Sequence, residues 1–351
     1  MKKLISLLLV LAMALTLVAC GAKEEAPATE APAAAPEAAP EAPAAEVTTY
    51  DVGVAIYQFT DNFMTLYRQE IEAYFKTLET DTVKYNITMV DSKNDMAEQT
   101  NQIDTFITQG MDVIILNLVQ TSSAEVLIDK VVDAGIPLIL INREPLGETD
   151  ESYPGIINNP KVCYVGADAR QSGTYQGEIV LALDDKGDIN GNGKVDYVMI
   201  VGDPENPDAQ YRTEFSIKAL TDAGVAVNKL VENVGNWDQT KGQEIAAAAL
   251  AQYGDEIEVI FCNNDGMALG AAAAIEAAGR TVGEDIYLLG VDALDECQEM
   301  VKNGTMTGTV LNDHIGQSHA AVDAAVAALK GETLQNYYWV DYVKVDAAYF
   351  G

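Results

Sequence analysis

From Tyr50 onward, short apolar runs alternate with longer stretches of helical period. VGVAIY (52–57) precedes a helical stretch from Phe63 to Leu78, and YNITMVDS (85–92) precedes one from Met96 to Gln109. VIILNLV (113–119) leads to a helix near Ser123 to Ala134, and PLILIN (137–142) follows. Gly135-Ile136-Pro137 supplies the helix stop and strand entry between them. After a loop rich in Gly, Asn and Pro (147–160), the rhythm resumes as VCYVG, VDYVMIVG, VIFCNND, IYLLGVD and TGTVLN. Strands separated by helices of about ten to fifteen residues call for parallel sheets with right-handed crossovers. With 351 residues the pattern predicts an α/β protein of two doubly wound parallel-sheet lobes.

The amino-terminal end reads differently. Lys2 and Lys3 precede an apolar run from Leu4 to Val18, which closes in Leu17-Val18-Ala19-Cys20. A charged start, an apolar middle and a small residue before cysteine make an export signal. The run is shorter than the roughly 20 residues a bilayer span needs. The motif resembles the bacterial lipobox, which implies a signal peptide over 1–19, cleavage before Cys20, lipidation of Cys20 and attachment to the outer face of the cell membrane. Residues 21–48 hold 12 Ala, 6 Glu and 5 Pro and no aromatic residue. That is too little apolar side chain to offset ordering entropy, so 20–48 is expected to be a disordered tether.

The formal charge is -33, from 54 acidic and 21 basic residues. No local basic patch offsets it, which argues against nucleic acid as a partner. Only two histidines, His314 and His319, are present, too few for a multi-histidine zinc centre. Beyond Cys20, the three cysteines Cys163, Cys262 and Cys297 are widely spaced, two of them in apolar runs, and read as buried thiols. No serine nucleophile elbow, phosphate loop or dinucleotide fingerprint survives inspection.

In open parallel sheets, ligands bind beyond the carboxyl ends of the strands. The residues there are Tyr57 to Phe63, Asn142-Arg143-Glu144, Asp203 to Arg212, Asn263-Asn264-Asp265, Asp292 and Asn312-Asp313. Asx residues also cap helices and make turns, which accounts for any one of them. Their recurrence at one predicted edge points further. Asn, Asp and Arg can address two neighbouring hydroxyls at once, and an aromatic ring covers the apolar face of a pyranose. Together they describe a sugar site.

Asp188, Asn190, Asn192, Lys194 and Asp196 fall at positions 1, 3, 5, 7 and 9 of an EF-hand-like loop, with Gly193 at the sharp turn. Met199 occupies the twelfth position, where a bidentate Glu belongs, so the loop is no complete EF-hand. It is either an Asx/Gly turn or a Ca2+ site completed by a carboxylate from elsewhere.

At this point the chain resembles the bacterial periplasmic galactose/glucose-binding proteins, members of the type I sugar-binding proteins of ABC transporters. The likeness covers nearly all of 50–351. Its most specific stretches are YQFTDNFM (57–64), DSKND (91–95), NREP (142–145), NPDAQYR (206–212), NND (263–265), GVDA (290–293) and TVLND (309–313). The resemblance implies that Asp61 accepts from the sugar 4-hydroxyl in either configuration. It further implies that Asn142, Asp208, Arg212, Asn264, Asp292 and Asn312 bond the other hydroxyls and the ring oxygen, and that Phe63 and Trp237 sandwich the ring. Asn206 and Arg143 stand where the family often has His and Lys, which bears on the ranking of glucose, galactose and their methyl glycosides. Glu258 matches the carboxylate that completes the family's structural Ca2+ loop.

The same resemblance implies chain crossings at a three-strand hinge, near Gly166 to Asp168, Leu311 to Asp313 and Val340 to Val345. The lobes would be 49–166 plus 313–341 and 167–312 plus 342–351. The expected role is that of a monomer delivering galactose or glucose to an ABC permease. A chemoreceptor or membrane sensor is the alternative partner, and another monosaccharide the alternative ligand. A secreted glycosidase could also draw a carboxylate pair from Asp61, Asp208 and Asp292, but the resemblance gives these hydrogen-bonding roles and implies no enzyme. A repressor of the same lobe fold would need a basic DNA-binding helix pair where this chain has an export signal and an acidic tether.

Overall fold

The computed structural model describes residues 46–145 and 152–351; the expected signal peptide, Cys20 and the expected tether as far as residue 45 lie outside the described residues. The chain runs through β1 (Thr48–Ile56), α1 (Asn62–Leu78), β2 (Val83–Asp91), α2 (Met96–Gln109), β3 (Val113–Leu116), α3 (Ala124–Asp133), β4 (Leu138–Ile141), the single turn α4 (Pro154–Ile157), β5 (Val162–Gly166) and α5 (Ala169–Leu181). It continues through β6 (Val195–Val201), α6 (Pro207–Asp222), β7 (Val227–Val234), α7 (Gln239–Tyr253), β8 (Val259–Cys262), α8 (Asp265–Ala277), β9 (Tyr287–Leu289) and α9 (Asp295–Asn303). It ends with β10 (Thr309–Leu311), α10 (His314–Leu329), β11 (Tyr337–Trp339) and β12 (Val343–Val345).

Two parallel sheets result, as the alternation predicts. The first has the order β11-β5-β4-β3-β1-β2 and the second β7-β6-β8-β9. β10 pairs antiparallel with β12, and bridges Leu289 to Gly308 and Asp292 to Leu311 attach this ribbon beside β9. Every residue of the central strands VIIL and LILI is buried, because helices cover both faces of the sheet. Cys163, Cys262 and Cys297 are buried free thiols, and burial pushes the Cys163 thiol up to about 12.

β11 and β12 form beyond TGTVLN, the last apolar run of the sequence pattern, and two further elements depart from it. The loop expected over 147–160 contains α4, and β7 forms where no apolar run announces a strand. β7 lies at the sheet edge, and Asn228, Lys229 and Glu232 on it are exposed, so its sequence carries little apolar signal.

The chain passes between the two sheets three times: from Gly166 at the end of β5 to Ala169 at the start of α5, from Leu311 to His314, and from Trp339 to Val343. Close helix packing then fixes the second lobe. A Cβ at Gly177 on α5 would lie 2.5 Å from the Ser216 carbonyl oxygen on α6, so only glycine lets the two backbones approach this closely. α6 carries Asp208 and Arg212, so this approach helps set where they project.

Candidate functional site

One cleft gathers Tyr57, Asp61, Phe63, Met64, Asn142 and Arg143 of the first lobe with Asn206, Asp208, Arg212, Trp237, Asn264 and Asp292 of the second, and Asn312 at a crossing. All eleven residues proposed from the sequence for a sugar line it. Tyr57 and Met64 line it too. Tyr57 closes the first apolar run, a strand-end position that the spacing rule marks; Met64 ends the stretch YQFTDNFM, in which no role fell to it.

The capping account and the site account of the Asx residues are both true. Asp61 caps α1 by accepting from Met64 N at 2.7 Å through Oδ1, while its Oδ2 accepts from the Tyr57 hydroxyl at 2.7 Å. Asn206 caps α6 by accepting from Asp208 N at 3.0 Å, and Asn264 caps α8 by accepting from Met267 N at 3.0 Å. Since an amide uses only its oxygen for a cap, the Asn206 amide nitrogen keeps donor capacity. The cap fixes each side chain at the helix mouth, where the strand end opens on the cleft.

Three lining residues adopt left-handed backbone: Asn142 at φ 62, Trp237 at φ 66 and Asp292 at φ 119. Such conformations cost energy and persist where surrounding contacts enforce them. For Asn142 the enforcer is Asn117, which donates to the Ile141 carbonyl at 3.1 Å and to Asn142 Oδ1 at 3.2 Å. Asp292 is held by its backbone N–H on the Val310 carbonyl at 2.8 Å and by Asn312, which donates to its Oδ1 at 3.3 Å. Gln317 in turn donates to Asn312 Oδ1 at 2.6 Å. The Trp237 ring lies over Gly202, where a Cβ would overlap it.

Arg212 and Asp208 form a buried ion pair. Arg212 donates to Asp208 Oδ2 at 3.1 Å, to the Tyr342 hydroxyl at 2.9 Å and to the Asn263 carbonyl at 2.8 Å. Arg143 lies 3.7 Å over the Tyr57 ring. Burial pushes the Asp292 carboxyl well above the usual range against the pull of Arg212, with Asp265 and Asp61 adding to the rise. Burial also raises Asp208 against Arg212 and Arg143, and Asp265, behind the cleft, rises to about 6 for the same reason. Nε of Arg212 and Nε and Nη2 of Arg143 are buried with no hydrogen-bond partner among the described residues. A buried donor left unpaired is costly, and hydroxyl groups are suitable acceptors. Acceptors, donors and the aromatic side chains of Tyr57, Phe63 and Trp237 converge: an arrangement for binding a polyhydroxylated ring.

The loop over 188–196 lies apart from the cleft residues on the second lobe. Asp188 accepts from the backbone N–H of Asn192 and Gly193, and Asn190 and Asn192 accept from Asn192 N and Lys194 N. Glu258 is buried and accepts from Asn190 N at 2.9 Å and Asp196 N at 2.8 Å, so it does reach the loop. Its carboxyl is raised first by burial and further by Asp188 and Asp196. This all-oxygen donor set suits a hard cation. The Asp196 carboxylate is turned to Lys194 Nζ, at 2.5 and 2.7 Å, and among the described residues no three acidic, His or Cys side chains are drawn together as a metal centre.

Residues 52–333 match the family model described as a periplasmic binding protein domain. The chain is 33% identical over 308 residues to the D-galactose/methyl-galactoside binding periplasmic protein MglB of Haemophilus influenzae, covering 84% of this chain and 89% of that one. It is 32% identical over 298 residues to a putative rhizopine-binding protein of Rhizobium meliloti, covering 85% and 90%. A solute-binding protein of an ABC transporter from Bacillus halodurans, solved with bound myo-inositol, superposes with a TM-score of 0.73 at 27% identity over 85% of this chain and 95% of that one. These relatives bind solutes and are not enzymes. The chain therefore belongs to the periplasmic binding protein domain family.

Proposed function

We propose that the chain captures D-galactose or D-glucose between its lobes and delivers it to a membrane ABC permease while anchored to the outer face of the cell membrane through a lipidated Cys20. The observation that carries the sugar is the single cleft in which Asp61, Asn142 and Phe63 of one lobe meet Asp208, Arg212, Trp237, Asn264 and Asp292 of the other. Asp61 would accept from the 4-hydroxyl, the amides and Arg212 would take the remaining oxygens, and Phe63 and Trp237 would cover the ring. The lobes are taken as 49–166 plus 313–341 and 167–312 plus 342–351, acting as a monomer. A ligand contacting both lobes binds the closed form better, and that difference drives closure. The permease then engages loaded protein.

Asp188, Asn190, Asn192, Asp196 and Glu258, with the Lys194 carbonyl, would hold a structural Ca2+, which stabilises the loop and takes no part in sugar binding. For the cation to bind, Lys194 has to leave Asp196. A second ligand reading, a cyclic polyol, draws on the Bacillus halodurans relative with myo-inositol; a chemoreceptor or sensor remains the alternative partner.

Calorimetric titration of residues 46–351, unfolded and refolded to strip carried-over ligand, tests this with galactose, glucose, ribose, xylose and myo-inositol. One-to-one binding led by galactose or glucose supports the proposal. Binding led by myo-inositol replaces the hexose by a polyol, and folded protein that binds none of them sinks the ligand assignment.

A further inference from the structure

Arg143 bridges the two lobes. Its Nη1 donates to the Val119 carbonyl at 2.5 Å in its own lobe and to Asp203 Oδ2 at 3.1 Å in the other, with its flat face on Tyr57. The Arg143 side chain is 1% exposed and the Asp203 side chain 17% exposed. Asp203 belongs to the turn between β6 and α6 that leads into the Asn206 cap, and its Oδ1 accepts from Glu205 N at 3.0 Å. The same turn receives a second bond from the first lobe, Thr121 Oγ1 to the Glu205 carbonyl at 3.3 Å. Asp203 is not among the cleft-lining residues. Both bonds leave one nitrogen, Nη1, while the flat face of the guanidinium stacks on the Tyr57 ring.

We propose that Asp203 is a positioning residue for ligand capture: through Arg143 it latches the second lobe onto the first, so that closure is held by an ion pair as well as by the ligand. The inference rests on the cleft being the sugar site. The latch exists only when the lobes meet, so it favours the closed state and slows release.

The test is the dissociation rate of whichever hexose the parent chain binds, from the parent, D203N, D203E, R143M and the double variant D203N/R143M. Release from D203N is expected to be about tenfold faster, with association changed by less than about twofold. D203E should recover much of the loss, and D203N should add little in the R143M background, because the partner is already gone. Release from D203N at the parental rate, or its full effect retained in R143M, overturns the latch. Small-angle scattering of the sugar-free proteins reads the pair independently: a larger radius of gyration in D203N than in the parent supports it, and equal radii oppose it. A parent chain that binds no hexose fails the sugar reading alone, and scattering then decides the latch.

Discussion

Arg212 and Tyr342 stand 130 positions apart, yet the guanidinium of one donates to the hydroxyl of the other at 2.9 Å, joining the cleft to the last chain crossing between the lobes. The same Nη2 holds Asp208 at 3.1 Å. Replacing Arg212 by Met would leave the buried Asp208 carboxyl unpaired, at a cost of about 3 kcal/mol or more in stability, and would remove a site donor. Tyr342→Phe should cost only about 1 kcal/mol and weaken binding a few-fold. Denaturant titration with calorimetry separates the two, and equal losses from both variants would contradict this order.

Asp61 divides its two oxygens between the α1 cap and the Tyr57 hydroxyl. Asp61→Asn keeps an acceptor for the cap, so thermal stability should change little. A charged acceptor is lost from the cleft, and hexose affinity should fall by roughly 10- to 100-fold. Asp61→Ala should lose binding and also about 1 kcal/mol of cap stability. Affinity retained in Asp61→Asn would remove Asp61 from the ligand contacts.

Gly202→Ala places a methyl group where the Trp237 ring lies. The ring must move or the strand end must shift, at about 1–3 kcal/mol. Sugar affinity should drop and the tryptophan emission of the sugar-free protein should change, since Trp237 is one of only two tryptophans. An unchanged spectrum together with parental affinity counts against the seat described for the ring.

The buried acids predict an unusual acid response. Asp265 in the folded chain has a pKa of about 6, above its ordinary 3.8, and Asp292 is raised as well. Between those values the native state holds more protons than the unfolded state, so stability attributable to these groups rises as pH falls from about 7 towards 4. Their neutral forms are the stable ones when buried. Denaturant midpoints at pH 7.5, 6 and 5 read this directly, and Asp265→Asn should flatten the slope. A midpoint that falls steadily from pH 7.5 to 5 in the parent chain runs against it.

Calcium predicts a separable effect. Adding Ca2+ to chelator-treated protein should raise the melting temperature, with stabilisation of about 2.7 kcal/mol at a hundredfold excess over Kd, while sugar affinity stays constant. Glu258→Gln should abolish that gain. A melting temperature insensitive to Ca2+ leaves 188–196 as an Asx/Gly turn, an arrangement its backbone bonds to Asp188 and Asn190 already supply.

By itself the sequence determined the alternation of elements, because β3 and β4 are buried on both faces and must be apolar throughout. It also marked the strand-end residues, because parallel strands open their carboxyl ends on one side. Trp237 lies beyond β7, an edge strand whose polar residues face water, so only the resemblance pointed to it. The lining role of Met64 and the seat at Gly202 became visible once the lobes were folded against each other. What tertiary structure alone decided was pairing across the cleft: nothing in the spacing of Arg143 and Asp203 says that they meet. Local periodicity records which face of an element is buried, whereas a contact between two lobes depends on how three distant crossings bring them together.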